Sequence, residues 1–122
     1  MTASELKSFV LQDMKMYLAE YEVPAPGTTV GTPWSKERVA RELEKMLPCV
    51  IDPFATEYFL EDTEEQRTAG IRRTCWVIAI DGSYGLLYDP TAEDFVLACQ
   101  SSENEWGSIG VRGDAVTTFL AR

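Results

Sequence analysis

Residues 72–99, RRTCWVIAIDGSYGLLYDPTAEDFVLAC, carry the clearest secondary-structure pattern of the chain. They contain three runs rich in β-branched, aromatic and other apolar residues, at 72–80, 84–88 and 95–99, a composition typical of strands. Two short polar segments with turn-forming residues, 81–83 and 89–94, separate these runs. Because connections this short join neighbouring antiparallel strands, the stretch predicts a three-stranded antiparallel meander.

The sequence on either side of this meander predicts further strands. Residues 49–60 are apolar and aromatic, but Pro53 interrupts them, which indicates an edge strand or a bulge. A polar loop at 100–105 leads to a last short strand near residues 106–111. The sheet is therefore expected to contain about four to five strands.

Two helices are predicted ahead of the sheet. Thr2 and Glu5 have the spacing of a capping box, and apolar residues then recur every three or four positions, so residues 3–21 predict an amphipathic helix. A second helix is expected to begin at Thr32-Pro33, with the threonine hydroxyl as its cap, and to end at Pro48.

The order of these elements predicts the fold class. Asp114 is placed to cap a short C-terminal helix, so the helices are segregated from the strands along the chain. Such an order is typical of an α+β fold, here two N-terminal helices packed on an antiparallel sheet, with a short C-terminal helix. At 122 residues the chain is expected to form one α+β domain, residues 1–122.

The charge of the chain limits the classes of function that are expected. The sequence has 20 Asp and Glu against 11 Lys and Arg, a formal net charge of −9, and it contains no histidine. A field of this sign repels nucleic acids and anionic membranes and attracts basic proteins. The absence of histidine removes the usual general base and the commonest metal ligand. These features favour a non-catalytic protein that binds a basic protein partner.

No cofactor, metal site or membrane span is expected. Cys49, Cys75 and Cys99 form no CxxC pair and lie in apolar surroundings, which is typical of reduced core thiols. No apolar run approaches the roughly 20 residues that cross a bilayer. The N-terminus lacks the basic start and apolar stretch of a secretory signal, so a cytoplasmic protein is expected.

The densest acidic stretch provides the candidate partner-binding residues. Residues 51–70 hold six acidic side chains against one arginine. A solvated loop or short helix would explain them equally well, but an acidic surface that accelerates association with a basic partner is the functional interpretation. We expect the contacts to come from Glu57, Glu61, Asp62, Glu64 and Glu65.

Two tryptophans and two carboxylate pairs are further candidates. Trp34 and Trp106 lie at element borders, where a core position is favoured, although exposure of Trp106 would make it an interface anchor. The carboxylate pairs Asp62/Glu64 and Glu93/Asp94 are candidates for an acid–base dyad, but nothing in the sequence places one member in an apolar pocket.

Three segments resemble one protein family. Residues 76–90, WVIAIDGSYGLLYDP, are similar to a pair of strands around a glycine-containing turn in SMI1/KNR4-like (SUKH) immunity proteins. Residues 116–120 resemble the closing helix of that family, and residues 43–48 resemble the end of its early helix, whereas its paired-glycine signature is missing. The resemblance implies a bacterial protein that neutralises a toxin, often a nuclease, by binding it, and it supplies no catalytic residues.

The sequence is therefore compatible with three functions. The first is an immunity or inhibitor protein whose acidic face occupies the basic cleft of a toxin. The second is a secretion chaperone or adaptor, which would act as a homodimer and bind an unfolded segment through apolar grooves. The third is a small-molecule-binding domain or enzyme, which would need a pocket between the helices and the sheet.

Overall fold

The computed structural model describes residues 1–25, 27–28 and 31–122 and confirms an α+β fold, with four α-helices and a five-stranded mixed sheet in this part of the chain. A single 3₁₀ turn, Leu47–Cys49, joins the second helix to the first strand. The elements are α1 (Ala3–Glu20), α2 (Lys36–Met46), β1 (Val50–Phe59), α3 (Glu64–Ala69), β2 (Arg72–Asp81), β3 (Tyr84–Asp89), β4 (Asp94–Gln100), β5 (Trp106–Gly113) and α4 (Ala115–Leu120).

The first helix is built as its sequence predicts. The Thr2 side chain accepts a hydrogen bond from the Glu5 backbone N–H, and the Glu5 carboxylate accepts one from the Thr2 N–H, which completes the capping box. Leu6, Val10 and Met14 form the buried stripe of the helix. The spacing of these three residues is that of one helix face.

The second helix begins later than predicted. Its cap is Ser35, whose hydroxyl accepts a hydrogen bond from the Arg38 N–H, and helical residues start at Lys36 rather than at Thr32-Pro33. The Trp34 carbonyl accepts a hydrogen bond from the Tyr21 hydroxyl. A helix beginning at Pro33 would direct the Arg38 N–H to this carbonyl, whereas that N–H is bonded to the Ser35 hydroxyl.

The predicted meander is confirmed, but the sheet closes into a barrel. Strands β1 to β5 are antiparallel neighbours in sequence order, and β1 also pairs with β5. This last pairing is parallel and covers only Tyr58↔Trp106 and Phe59↔Gly107. The expected antiparallel sheet is thus corrected to a closed barrel with one short parallel seam.

Pro53 does not end the first strand. The register of β1 against β2 shifts between Val50 and Phe54, so the proline lies in a bulge, one of the two positions that its missing N–H predicts. The strand then continues regularly to Phe59 and delivers the buried Tyr58 side chain into the barrel.

Two apolar clusters fill the molecule. Alternate side chains of β3 and β4 point to opposite sides, with Leu87 and Val96 inside the barrel and Leu86 and Leu97 on its outer face. Helices α1 and α4 pack on this outer face, and α2 packs beside α1. The outer cluster consists of Leu6, Val10, Met14, Val39, Leu43, Met46, Ile78, Ala79, Leu86, Phe95, Leu97, Ala115, Val116 and Phe119.

A glycine makes room for the largest side chain inside the barrel. A Cβ atom on Gly85 would lie 2.5 Å from the Trp106 ring, well inside van der Waals contact. The absence of a side chain at Gly85 therefore lets the indole of Trp106 cross the barrel interior from β5 to β3. This packing leaves Trp106 only 4% exposed.

Candidate protein-binding surface

The structure brings some of the predicted acidic residues together at the β1–β5 seam. A groove of about 320 Å³ is lined by Glu57 and Glu105, and an adjoining groove of about 480 Å³ is lined by Glu61, Glu103 and Glu105. We call these four glutamates the seam carboxylates. Glu103 and Glu105 were not among the predicted contacts, because the loop that carries them is more than forty residues from Glu57 in sequence.

Two arginines lie among the seam carboxylates. Arg72 Nη2 is 3.2 Å from Glu105 Oε1 and its Nη1 is 3.9 Å from Glu57 Oε1. Arg67 Nε is 3.6 Å from Glu61 Oε2. These side chains are between 31% and 64% exposed, so each pair contributes little to stability. Three of the four seam carboxylates thus have an arginine within 4 Å.

Glu64 and Glu65 extend this surface along the short helix α3. Both occupy its first turn, where the helix dipole favours negative charge, and both are exposed. They make no ion pair within the described ranges. The predicted residues Glu57, Glu61, Glu64 and Glu65 are thus all accessible in whole or in part.

Asp62 belongs to a different site. Its Oδ2 accepts a hydrogen bond from Arg112 Nη1 at 2.8 Å, and its Oδ1 accepts one from the Gly110 N–H at 3.0 Å. The carboxylate is therefore engaged within the fold, where it fastens the segment after β1 to β5. This corrects the prediction that Asp62 offers its charge to a partner.

Trp106 is also withdrawn from the surface. Its burial inside the barrel removes it as an exposed anchor and corrects its inclusion among the contact residues. Trp34 is half-buried against the outer cluster, with the Arg38 guanidinium 4.3 Å from its ring centre. Sequence position at an element border did not distinguish the buried indole from the half-buried one.

The structure contains a buried ion network that sequence reasoning missed. Asp89 is 0% exposed, and its Oδ2 accepts hydrogen bonds from the Tyr58 hydroxyl at 2.5 Å, Arg73 Nη1 at 3.2 Å and Arg112 Nη2 at 3.1 Å. Its Oδ1 accepts two more from the backbone N–H groups of Thr91 and Ala92.

Arg112 lies at the centre of this network. Its guanidinium forms two parallel hydrogen bonds with Asp94, from Nε at 2.9 Å and from Nη2 at 3.0 Å, in addition to those with Asp62 and Asp89. It also donates to the Tyr58 hydroxyl. The network joins residues of all five strands and the segment after β1, so it fastens the barrel as a unit.

The environment fixes the protonation of the network. Burial alone would raise the pKa of Asp89, but hydrogen bonds from Tyr58, Ala92 N–H, Arg73 and Thr91 N–H lower it to about 2. Burial, together with donation to Asp89, raises the pKa of Tyr58 to about 12. Asp89 is therefore ionised and Tyr58 protonated throughout the neutral range, as suits a permanent structural contact.

The interior that the structure describes is satisfied internally. No buried side-chain nitrogen or oxygen in this part of the chain lacks a hydrogen-bond partner. Within the same ranges no group of three or more Cys, Asp or Glu residues is arranged to hold a metal ion. Burial raises the pKa of the Cys75 thiol to about 12, so it remains protonated at neutral pH.

None of the helices within residues 1–25, 27–28 and 31–122 is both long and apolar enough to cross a bilayer.

Compared with known proteins, the chain matches no family model, no curated protein and no solved structure. The likeness of residues 76–90 to SMI1/KNR4-like immunity proteins therefore stays a resemblance of short segments. The fold and its surface carry the functional argument.

Proposed function

We propose that the chain is a non-catalytic module that binds a basic protein through the seam carboxylates and α3. Such a module would act as an inhibitor, in the way that an immunity protein blocks a basic toxin by covering its active cleft. The resemblance to SMI1/KNR4-like immunity proteins suggested the same class of function.

The distribution of charge is the observation that carries the proposal. Residues 50–122 hold 13 acidic and 5 basic side chains, whereas residues 1–49 hold 7 and 6. Each of the five arginines in the second half lies within 3.6 Å of at least one carboxylate oxygen of the chain. Residues 50–122 therefore present an excess of free carboxylates and no free cation, which favours a cationic partner.

The grooves at the seam offer concave sites in which a partner side chain could bind next to the carboxylates. Phe59 lines both grooves and is half-buried, with the Arg72 guanidinium 4.5 Å from its ring centre. An arginine or lysine of a partner that entered either groove would meet a carboxylate beside an aromatic face. Aromatic residues are enriched at protein interfaces, and a cation placed over an aromatic face is attracted to it.

A pocket between the helices and the sheet is not favoured. That space holds the outer apolar cluster, in which side chains of α1, α2 and α4 are buried together with those of the outer face of the barrel. The small-molecule alternative predicted a cavity at this position, so the packing weighs toward the protein-binding interpretation.

The test begins with capture of a partner from the source organism by the immobilised protein, in about 0.05 M and about 0.5 M salt. A basic protein that is retained only at the lower salt is then purified for binding kinetics. The variant Glu57→Lys/Glu103→Lys is expected to slow association about tenfold and to change dissociation much less, because long-range attraction acts on encounter.

A matched variant controls for total charge. Glu20→Lys/Glu22→Lys makes the same change in net charge at two exposed positions near the end of α1, far in sequence from the seam. It should slow association much less than the seam variant. Equal effects of the two variants would mean that net charge alone attracts the partner, and an unchanged rate in the seam variant would remove this surface as the binding site.

A further inference from the structure

We propose that the groove between α1 and α2 is the interface through which two copies of this chain associate. The proposal concerns a different face from the seam carboxylates and does not depend on their function. It would place the two helix pairs against each other and leave both barrels facing outward.

The groove is apolar and open. It has a volume of about 440 Å³, and its walls include Leu11 and Leu18 of α1 and Ala40 of α2. Leu47, at the end of α2, is 55% exposed at one end of the groove. An exposed leucine beside an apolar groove is the arrangement by which one copy could fill the groove of another.

Two charged residues make the groove self-complementary. Lys15 lies on the α1 side and Glu44 on the α2 side, and neither forms an ion pair within the described residues. A two-fold axis along the groove lays α1 of one copy over α2 of the other. Lys15 of each copy then faces Glu44 of its partner, so the pair of opposite charges occurs twice in the dimer.

The charge distribution selects this face for self-association. Residues 1–49, which form α1 and α2, are nearly neutral with 7 acidic and 6 basic side chains, whereas residues 50–122 carry 13 and 5. Two copies that met through their barrels would bring like charges together, and contact through the helices keeps those charges apart. We therefore expect a second copy of the chain to bind in the groove between α1 and α2.

The size of the helix face sets the expected affinity. Helix α1 has 18 residues and α2 has 11, lengths of about 27 Å and about 16 Å at the usual rise per residue. At about 10 Å of width per helix, the pair offers roughly 400 Å² per copy and buries about 800–900 Å² in the dimer. This is at the low end for specific interfaces, so we expect a reversible dimer with a micromolar dissociation constant.

Sedimentation equilibrium over about 1 μM to about 1 mM protein tests this expectation, because a micromolar dimer dissociates within that range. Leu47→Asp should weaken dimerisation at least about tenfold, since it places a charge in the apolar interface. Ile109→Asp is the matched control, because Ile109 is similarly exposed, at 44%, on β5 of the barrel. The control should dimerise as the wild type does.

Charge exchange supplies a test that loss of folding cannot imitate. Lys15→Glu and Glu44→Lys should each weaken the dimer by placing like charges opposite each other, and the double variant should restore it. A wild-type chain that remains monomeric up to about 1 mM would overturn the proposal. So would a Leu47→Asp variant as dimeric as the wild type, or a double variant no better than the two single ones.

Discussion

Asp89 shows how a buried charge is made tolerable in this protein. An isolated carboxylate loses several kcal/mol of hydration when it is buried. Here five donors replace the lost water: three side chains, from Tyr58, Arg73 and Arg112, and two backbone N–H groups. Removal of the carboxylate would leave the arginines with a missing partner, which is why we expect Asp89 to matter more than exposed acidic residues.

Asp89→Asn should lower the free energy of unfolding by about 3 kcal/mol at pH 7, the usual cost of breaking a buried ion pair. The pKa of Asp89 falls from its ordinary value of 3.8 to about 2 in the fold. The stabilisation from its ionisation is therefore complete above pH 3.8 and is lost as the pH falls toward 2, about 2 kcal/mol in all. Urea unfolding between pH 7 and about pH 2 would measure both effects.

Asp81→Asn is the control for this prediction. Asp81 pairs with Arg122 at 2.8 Å, but its side chain is about half exposed, so its loss should cost at most about 1 kcal/mol. The Asp89→Asn substitution should also flatten the acid limb of the stability profile, whereas the substitution at Asp81 should not. Equal costs for the two variants would contradict the central role of the network.

The ion network illustrates what sequence reasoning at the residue scale missed. The turn that contains Asp89 was predicted, but Tyr58, Asp62 and Arg112 lie on distant segments, and no local pattern links them to it. For the same reason the hydrogen bonds of Asp62 to Gly110 and Arg112 could not be predicted, because in sequence Asp62 resembles its exposed acidic neighbours. Only the closure of the barrel brings these side chains within hydrogen-bonding distance.

Among the single elements, α2 differs from its prediction at its first turn. Thr32-Pro33 has the local pattern of a helix start, but the Tyr21 hydroxyl holds the Trp34 carbonyl and the Ser35 hydroxyl accepts the Arg38 N–H. The helix that α1 docks against therefore begins at Lys36. Local propensity predicted the presence of the helix, but its N-cap is Ser35 and not the predicted Thr32.

Ser35→Ala should therefore destabilise the protein by about 1 kcal/mol, because the Arg38 N–H would lose its side-chain acceptor. Thr32→Ala, at the position that the sequence predicted as the cap, should change the free energy of unfolding by less than about 0.5 kcal/mol. Chemical denaturation of the two variants separates these expectations. A larger effect at Thr32 than at Ser35 would support the earlier start of the helix.

Strand pairs that are close in sequence were predicted, whereas the pair that is far apart in sequence was not. The β2–β3 and β3–β4 hairpins have short turns and clear apolar runs, and both were expected. Pairing of β1 with β5 joins segments nearly fifty residues apart and involves only two residues on each strand. A seam so short leaves no periodic signal in the sequence, so the closed barrel could not be inferred.

At the scale of the whole molecule, the excess of negative charge acts on stability as well as on binding. The free carboxylates of residues 50–122 repel one another in the folded state, and added salt screens that repulsion. We expect the melting temperature to rise by about 3 °C between about 0.01 M and about 0.2 M sodium chloride. The ion pairs of the fully buried Asp89 carboxylate should be screened much less.

Differential scanning calorimetry of the wild type and of Glu20→Lys/Glu103→Lys would check this expectation. Both positions are exposed, and each substitution removes one negative and adds one positive charge. The variant should show a smaller rise with salt because less repulsion remains to be screened. A melting temperature that falls with salt would mean that surface ion pairs outweigh repulsion in this protein.

The short parallel seam also sets the order of folding. The hairpins of the meander close small loops, whereas Tyr58 and Trp106 can pair only after a segment of nearly fifty residues has been brought together. The entropy of loop closure makes such a contact late. Substitutions at the seam should then accelerate unfolding more than they slow folding, so the lifetime of the native state depends on the contacts that close the barrel last.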